Sequence, residues 1–368
     1  MAGILTEADV QRLITSPSSD VRAATAVKVA DAFNLDTLSD KERELAEQIL
    51  RVMAKDAEIM VRGALASHLK ANPHLPKDVA LSLARDVESV SLPVLEYSNV
   101  LSDAELIDIV RTASIEKQTA VAQRETVSAA LANALIDHGK HASVVATLMR
   151  NPGAELGEAE YRKALDKHGD DMDVTNSLVG RGQLPITIAE RLVSLVSERL
   201  REFLLSKREI SAEAATDMVL QARERATVSL LPAGATSADV VDLAKQLRDN
   251  RRLTPSLILR ALCTGDIAFF EASLAVLSNT SIVNARVLIH DEGRLGLKTI
   301  YAHTSLPQNL YPAFRVAFDV ARETDYDGGE KDRQRFAVRV IERILTQFDD
   351  LEADDLDYLL SKLKQLAA

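Results

Sequence analysis

An apolar residue, then a small or helix-starting residue, then a helical segment: this punctuation recurs along the chain at nearly constant intervals. It falls at Leu75-Pro76, Leu101-Ser102, Val127-Ser128, Leu156-Gly157, Leu184-Pro185 and Ile210-Ser211, spaced 26, 26, 29, 28 and 26 residues apart. Leu5-Thr6 and Leu38-Ser39 carry the same signal nearer the start. Ser and Thr cap a helix by accepting bonds from orphaned amides, and Pro fits the first helical position, where its missing N–H costs nothing. The apolar residue before the cap sits where a hydrophobic staple packs. Short helices that each bury one face need neighbours to stack against, so this period predicts stacked helical hairpins. Elsewhere apolar residues keep helical spacing, as at Leu106, Ile109 and Val110, and strand-type alternation is rare.

A second internal match supports repetition. Val21-Arg22-Ala23-Ala24-Thr25-Ala26 and Val61-Arg62-Gly63-Ala64-Leu65-Ala66 lie 40 residues apart, each after an acidic residue, Asp20 in one case and Asp56 or Glu58 in the other. A Val-Arg helix start followed by small residues resembles HEAT-type repeats, in which alanines let adjacent helices approach closely. The expected architecture is an all-α solenoid of HEAT-like hairpins over residues 1–232. Leu231-Pro232-Ala233-Gly234-Ala235-Thr236 reads as a linker, and an all-helical section, placed as a cap on the array, is expected over 236–368.

Composition narrows the class. The 368 residues are 46% hydrophobic and 27% charged, which describes a globular chain. A single cysteine, Cys263, rules out an intramolecular disulfide and a multi-cysteine metal site. The net charge of −11 repels polyanions, and the 4% aromatic content without Trp offers few stacking platforms for bases. No basic and apolar leader pattern and no run of about 18 apolar residues occurs, so a cytoplasmic protein without membrane insertion is expected.

Several stretches are similar to one bacterial family. They are Leu95-Glu96-Tyr97-Ser98 with Leu101-Ser102-Asp103, Asn151-Pro152-Gly153-Ala154, Arg260-Ala261-Leu262-Cys263 with Gly265-Asp266 and Phe270-Glu271, and Leu288-Ile289-His290-Asp291 with Gly293, Leu295-Gly296-Leu297-Lys298 and Tyr301. In order and spacing they resemble the bacterial domain of unknown function family 2336, common in alphaproteobacteria, from about Ser19 to Pro307. The resemblance implies a helical-repeat protein and brings no activity or catalytic residues to carry over.

Chemistry-bearing patterns are sparse. Neither GxxxxGK nor GxGxxG after a strand is present, which weighs against nucleotide-dependent enzymes. His138 and His141 have a ligand-like spacing, yet Gly139 and Lys140 between them read as a helix C-terminus. Asp170-Asp171-Met172-Asp173 lacks the glycine and distal carboxylate of a calcium loop and reads as a turn before a helix. Asn151-Pro152-Gly153 reads as a tight turn ending a helix over 143–150. Cys263, His290 and Asp291 form the best nucleophile, base and acid set, although Cys263 has the apolar neighbours of an inert core thiol and His290 reads as a helix end. Arg335, Arg339 and Arg343 line one face of a helix expected over 331–348, beside Phe336, Val340 and Ile344, suited to an acidic surface or to local pairing.

Stacked helices present broad surfaces and seldom enclose reaction pockets. The expectation is therefore an interaction scaffold or regulatory adaptor for another protein, not an enzyme, needing no cofactor and no metal, with self-association left open. Arg335, Arg339, Arg343, Arg22, Arg62 and Tyr97 are the interaction candidates. Two alternatives stay open: a nucleic-acid-binding solenoid, if Arg22 and Arg62 join other bases on one open face, and a hydrolase-type enzyme built around His290, with Asp291 and Cys263.

Overall fold

The computed structural model describes residues 16, 18–35, 38–181, 184–207, 211–230, 236–263, 265–291, 295–323, 338–340, 342–343 and 346. Among these the structure is all-α, apart from an isolated parallel bridge between Val127 and Ala154. Two compact units divide the chain, Met1–Leu184 and Pro185–Ala368.

In the first unit, helices α1 (Ser19–Phe33), α3 (Ile59–Leu69), α5 (Glu88–Tyr97), α7 (Ile115–Ala122), α9 (Ala142–Arg150) and α11 (Met172–Val179) pack each against the next in that series. Between them in sequence run α2 (Asp40–Met53), α4 (Lys77–Ala84), α6 (Asp103–Thr112), α8 (Ala129–His138) and α10 (Glu158–His168), in which α6, α8 and α10 also pack in succession. Contacts that skip one helix each time are those of stacked helical pairs in two layers. Small buried residues, among them Ala26, Ala30, Ala66, Ala80, Ala84, Ala122 and Ala146, allow the close approach, with Leu65, Leu83, Leu95, Val110 and Leu135 filling the interior.

The punctuation read from the sequence marks helix starts. Ser39, Pro76, Ser102, Ser128 and Gly157 are the N-caps of α2, α4, α6, α8 and α10. Glu42, Glu105 and Glu160, three residues on, accept the backbone N–H of Ser39, Ser102 and Gly157. Leu5-Thr6 lies outside the described residues.

The internal match is a structural repeat as well. Arg22 and Arg62 stand in the first turns of α1 and α3, and each forks onto the aspartate preceding the next helix of the same layer. Arg22 donates to Asp56 at 2.8 and 3.0 Å, and Arg62 to both oxygens of Asp86. The arginine bonds hold both carboxyls below the usual aspartate range. A depressed carboxyl stabilises the fold above its unfolded value, about 3.9, and that contribution disappears as pH falls through the folded value. Chemical denaturation across pH is expected to show the first unit losing stability in that acid window, with Asp86→Asn flattening the dependence. An unchanged slope in Asp86→Asn contradicts the assignment.

The second unit contains α12 (Ile186–Lys207), α13 (Ala212–Ser229), α14 (Ser237–Asp249), α15 (Pro255–Cys263), α16 (Ile267–Leu277), α17 (Ile282–Ile289), α18 (Leu295–Ala302), a short 3-10 turn (Gln308–Leu310) and α19 (Tyr311–Glu323). Helix α16 is its centre, with Phe269 to Val276 buried without a break. Phe270 packs against Phe314 and Phe318, with ring centroids 6.1 and 5.6 Å apart. Residues 231–235, read as a linker, lie outside the described residues, and α12 to α15 on either side of them pack together as one unit. The Asp325–Gly329 turn and the helix over 353–365 also lie outside the described residues. Among the described residues no single helix is long and apolar enough to cross a membrane; α16 and α17 pass that test only as a pair bent by 114°.

Candidate functional site

In the first unit, side chains of one helical pair close the helix ends of its neighbours. Arg124, just past α7, is buried and donates to the carbonyls of Leu95 and Ser98 at 2.7 Å each, at the end of α5. Burial pushes its guanidinium pKa down. Asn151, just past α9, donates to the carbonyls of Ala122 and Arg124 at 2.8 and 2.7 Å, and its Oδ1 accepts the Gly153 amide. Arg181, just past α11, reaches the carbonyls of Met149 and Asn151. The Leu95–Ser98 and Asn151–Ala154 stretches singled out in the sequence are therefore parts of clamps between helical pairs, and the turn expected at Asn151-Pro152-Gly153 is one of them.

The other candidates of this unit fall on its surface. Tyr97, at the end of α5, is exposed with the Lys70 ammonium 4.0 Å from its ring centroid. His138 ends α8, and His141 caps α9 through its ring nitrogen. Asp171 caps α11, accepting from Asp173 and Val174. An open groove of about 760 Å³ lies between successive pairs, lined by Arg85, Val87, Glu88, Asp108, Ile109 and Lys117 among others.

The densest constellation lies in the second unit. Buried Glu271 on α16 accepts from Arg286 Nε at 2.7 Å and faces His290 Nε2 at 2.6 Å. The Arg286 guanidinium also donates to Ser237 at 3.0 Å. The His290 ring stands edge-on to Phe318, 5.4 Å between centroids, at the C-cap of α17. Around this group α17 turns Val283 and Val287 to solvent, with Leu295 beyond, all three 66–71% exposed.

This geometry revises the grouping of His290 with Asp291. The partner of His290 is Glu271, nineteen residues earlier on the preceding helix, and Asp291 instead accepts the Gly296 amide at 3.2 Å. Gly296 allows that approach, since a Cβ there would stand 2.2 Å from the Leu288 carbonyl oxygen. Cys263 is the last residue of α15, and its side chain lies outside the described residues. Glu271 and Arg286 were the members the sequence reading missed; Phe270-Glu271 stood among the family-like stretches with nothing to connect it to His290.

The C-terminal arginines divide. Arg335 lies outside the described residues, Arg339 is exposed, and Arg343 is bonded to Glu323 of α19 at 2.6 Å. Arg22 and Arg62 are engaged by Asp56 and Asp86 as described.

No curated protein and no solved structure matches the chain. Residues 90–352, spanning most of α5 to α19, match the profile of an uncharacterised protein conserved in bacteria, domain of unknown function 2336, and the chain belongs to that family.

Proposed function

We propose that this protein is an interaction scaffold or regulatory adaptor of the bacterial cytoplasm, and that it binds another protein through α17. The observation that carries the reading is the exposed pair Val283 and Val287, one turn apart on α17 and beside Arg286 and His290 at helical spacing. An apolar patch rimmed by polar groups is what a protein partner covers. Arg286 and His290 are held by one buried carboxylate, so the rim is fixed before the partner arrives and little side-chain entropy is lost on contact. The stacked helical pairs and the open groove beside Val87 and Ile109 suit the same role. The nucleic-acid alternative draws on Arg22 and Arg62, which are occupied by carboxylates of their own unit, and so has less support.

Affinity capture from the native cells, with and without nuclease, compares wild type, Val283→Glu/Val287→Glu, and Arg335→Glu/Arg339→Glu/Arg343→Glu. A stoichiometric protein partner is expected with wild type, its recovery falling at least tenfold, or about 1.4 kcal/mol, in the α17 variant. Recovery of nucleic acid alone overturns the reading. Loss of the partner only in the arginine variant moves the contact to the C-terminal segment.

A further inference from the structure

Successive helices of one layer in the first unit run parallel, with their starts along one edge. Arg22 in the first turn of α1 bonds Asp56, just before α3, and Arg62 of α3 bonds Asp86, just before α5. Lys117 in the first turn of α7 donates to the Asp86 carbonyl. At the opposite edge the Arg124, Asn151 and Arg181 clamps join the ends of α5, α7, α9 and α11.

The edge of helix starts carries a row of apolar side chains in water. Val21 of α1, Ile59 and Met60 of α3, Val87 at the cap of α5, Ile115 of α7 and Met172 of α11 are 37–64% exposed. Only α9, which begins with Ala142, breaks the row. Beside these residues stand exposed carboxylates, Asp20, Glu58, Glu88, Glu116 and Asp173 in turn. First-turn acids suit the helix dipole, but the dipole does not call for an apolar neighbour at each of them. Bases at this edge turn to the array itself, Arg22 and Arg62 to their aspartates, Arg85 to Asp108 at 3.0 Å and Lys117 to a carbonyl, with exposed Lys55 and Lys140 interrupting the row. Between the starts of α5 and α7 the edge opens into the groove that Val87, Glu88, Ser114 and Lys117 line together.

We propose that this edge binds an extended, basic segment of a partner protein, laid across the helix starts with apolar side chains on the row and Lys or Arg side chains on the carboxylates. Charge complementarity selects that occupant, since the same carboxylates repel an acidic segment or a polyanion. Packed helices stand about 8–10 Å apart, and an extended polyproline-type chain presents one face every three residues, about 9.3 Å. One apolar side chain in three therefore meets successive helix starts. From α1 to α11 the five steps come to about 45 Å, or about fifteen residues of such a chain. This surface belongs to the first unit and stands whether or not α17 binds a partner of its own.

Selection on the full chain from a random display library of segments about fifteen residues long tests the proposal. The expected winners are rich in Lys and Arg, with an apolar residue at every third position. Their affinity is expected to fall about tenfold or more for Val87→Ser/Ile115→Ser and for Glu88→Lys/Glu116→Lys, and to stay unchanged for Val283→Glu/Val287→Glu. Serine is favoured at a helix cap such as Val87, so the first variant should keep its far-ultraviolet circular dichroism. A selection without winners, acidic or uncharged winners, or winners held equally by both edge variants overturns the proposal. So does binding lost only from Val283→Glu/Val287→Glu, or self-association of the chain that Val87→Ser/Ile115→Ser abolishes, which would make the occupant a second copy.

Discussion

Glu190→Ala is expected to destabilise the second unit by about 3–5 kcal/mol, the range for leaving a buried charge without its partner. Glu190 is 1% exposed on α12 and accepts from Arg252 through one oxygen and from Gln246 at 2.7 Å through the other. Burial already drives the Arg252 guanidinium pKa down, with Glu190 the principal opposing charge. Deleting the carboxylate therefore strands a cation where water reaches it poorly. Arg252→Ala should cost a comparable amount by stranding the anion, and the double variant much less than the sum, since a missing pair leaves no orphan charge. Urea denaturation of the four proteins checks this; two small and additive single effects would show the pair to be better solvated than its burial implies.

Gly153→Ala and Gly63→Ala should shift stability in opposite directions, although both add one methyl group. At Gly153 a Cβ would stand 1.8 Å from the Glu125 carbonyl oxygen, inside the segment where Val127 donates to the Gly153 carbonyl and Glu155 to that of Val127. Backbone cannot yield there without loosening those bonds and the Asn151 clamp, so a loss of roughly 3 kcal/mol is expected in the first unit. At Gly63, inside α3, a Cβ meets nothing within 4 Å. Alanine there removes unfolded-chain entropy and should stabilise by about 0.5–1 kcal/mol. Measured by the same denaturation, a neutral Gly153→Ala would mean that the loop has room to move.

Helix starts were legible in the sequence because capping is local chemistry: Ser39, Ser102 and Ser128 bond within three residues of themselves, and any chain carrying them advertises the turn. The Val-Arg match was legible because α1 and α3 use it in the same way. The clamps were not. Arg124, Asn151 and Arg181 reach partners 26 to 32 residues away, and nothing in an arginine's immediate neighbours distinguishes a carbonyl clamp from a solvated side chain. The pairing of His290 failed to read for the same reason. Adjacent residues at a helix end point in different directions, and the carboxylate that meets the ring comes from another helix. A boundary drawn from Pro and Gly content at 231–236 marks a break between helices, whereas the division into units follows packing and falls after Leu184.

The clamps also set a rule for how such an array can change in length. Each donor belongs to one helical pair and each set of receiving carbonyls to its neighbour, so Asn151 reaches back toward α7 while its own carbonyl receives Arg181. Excising a pair removes a donor on one side and a receptor on the other. The rejoined chain keeps its seal only if the surviving donor finds carbonyls at the same height. Growth or shrinkage of this part of the chain is therefore quantised, tolerated in whole pairs that bring matching ends, and penalised for any fraction of one.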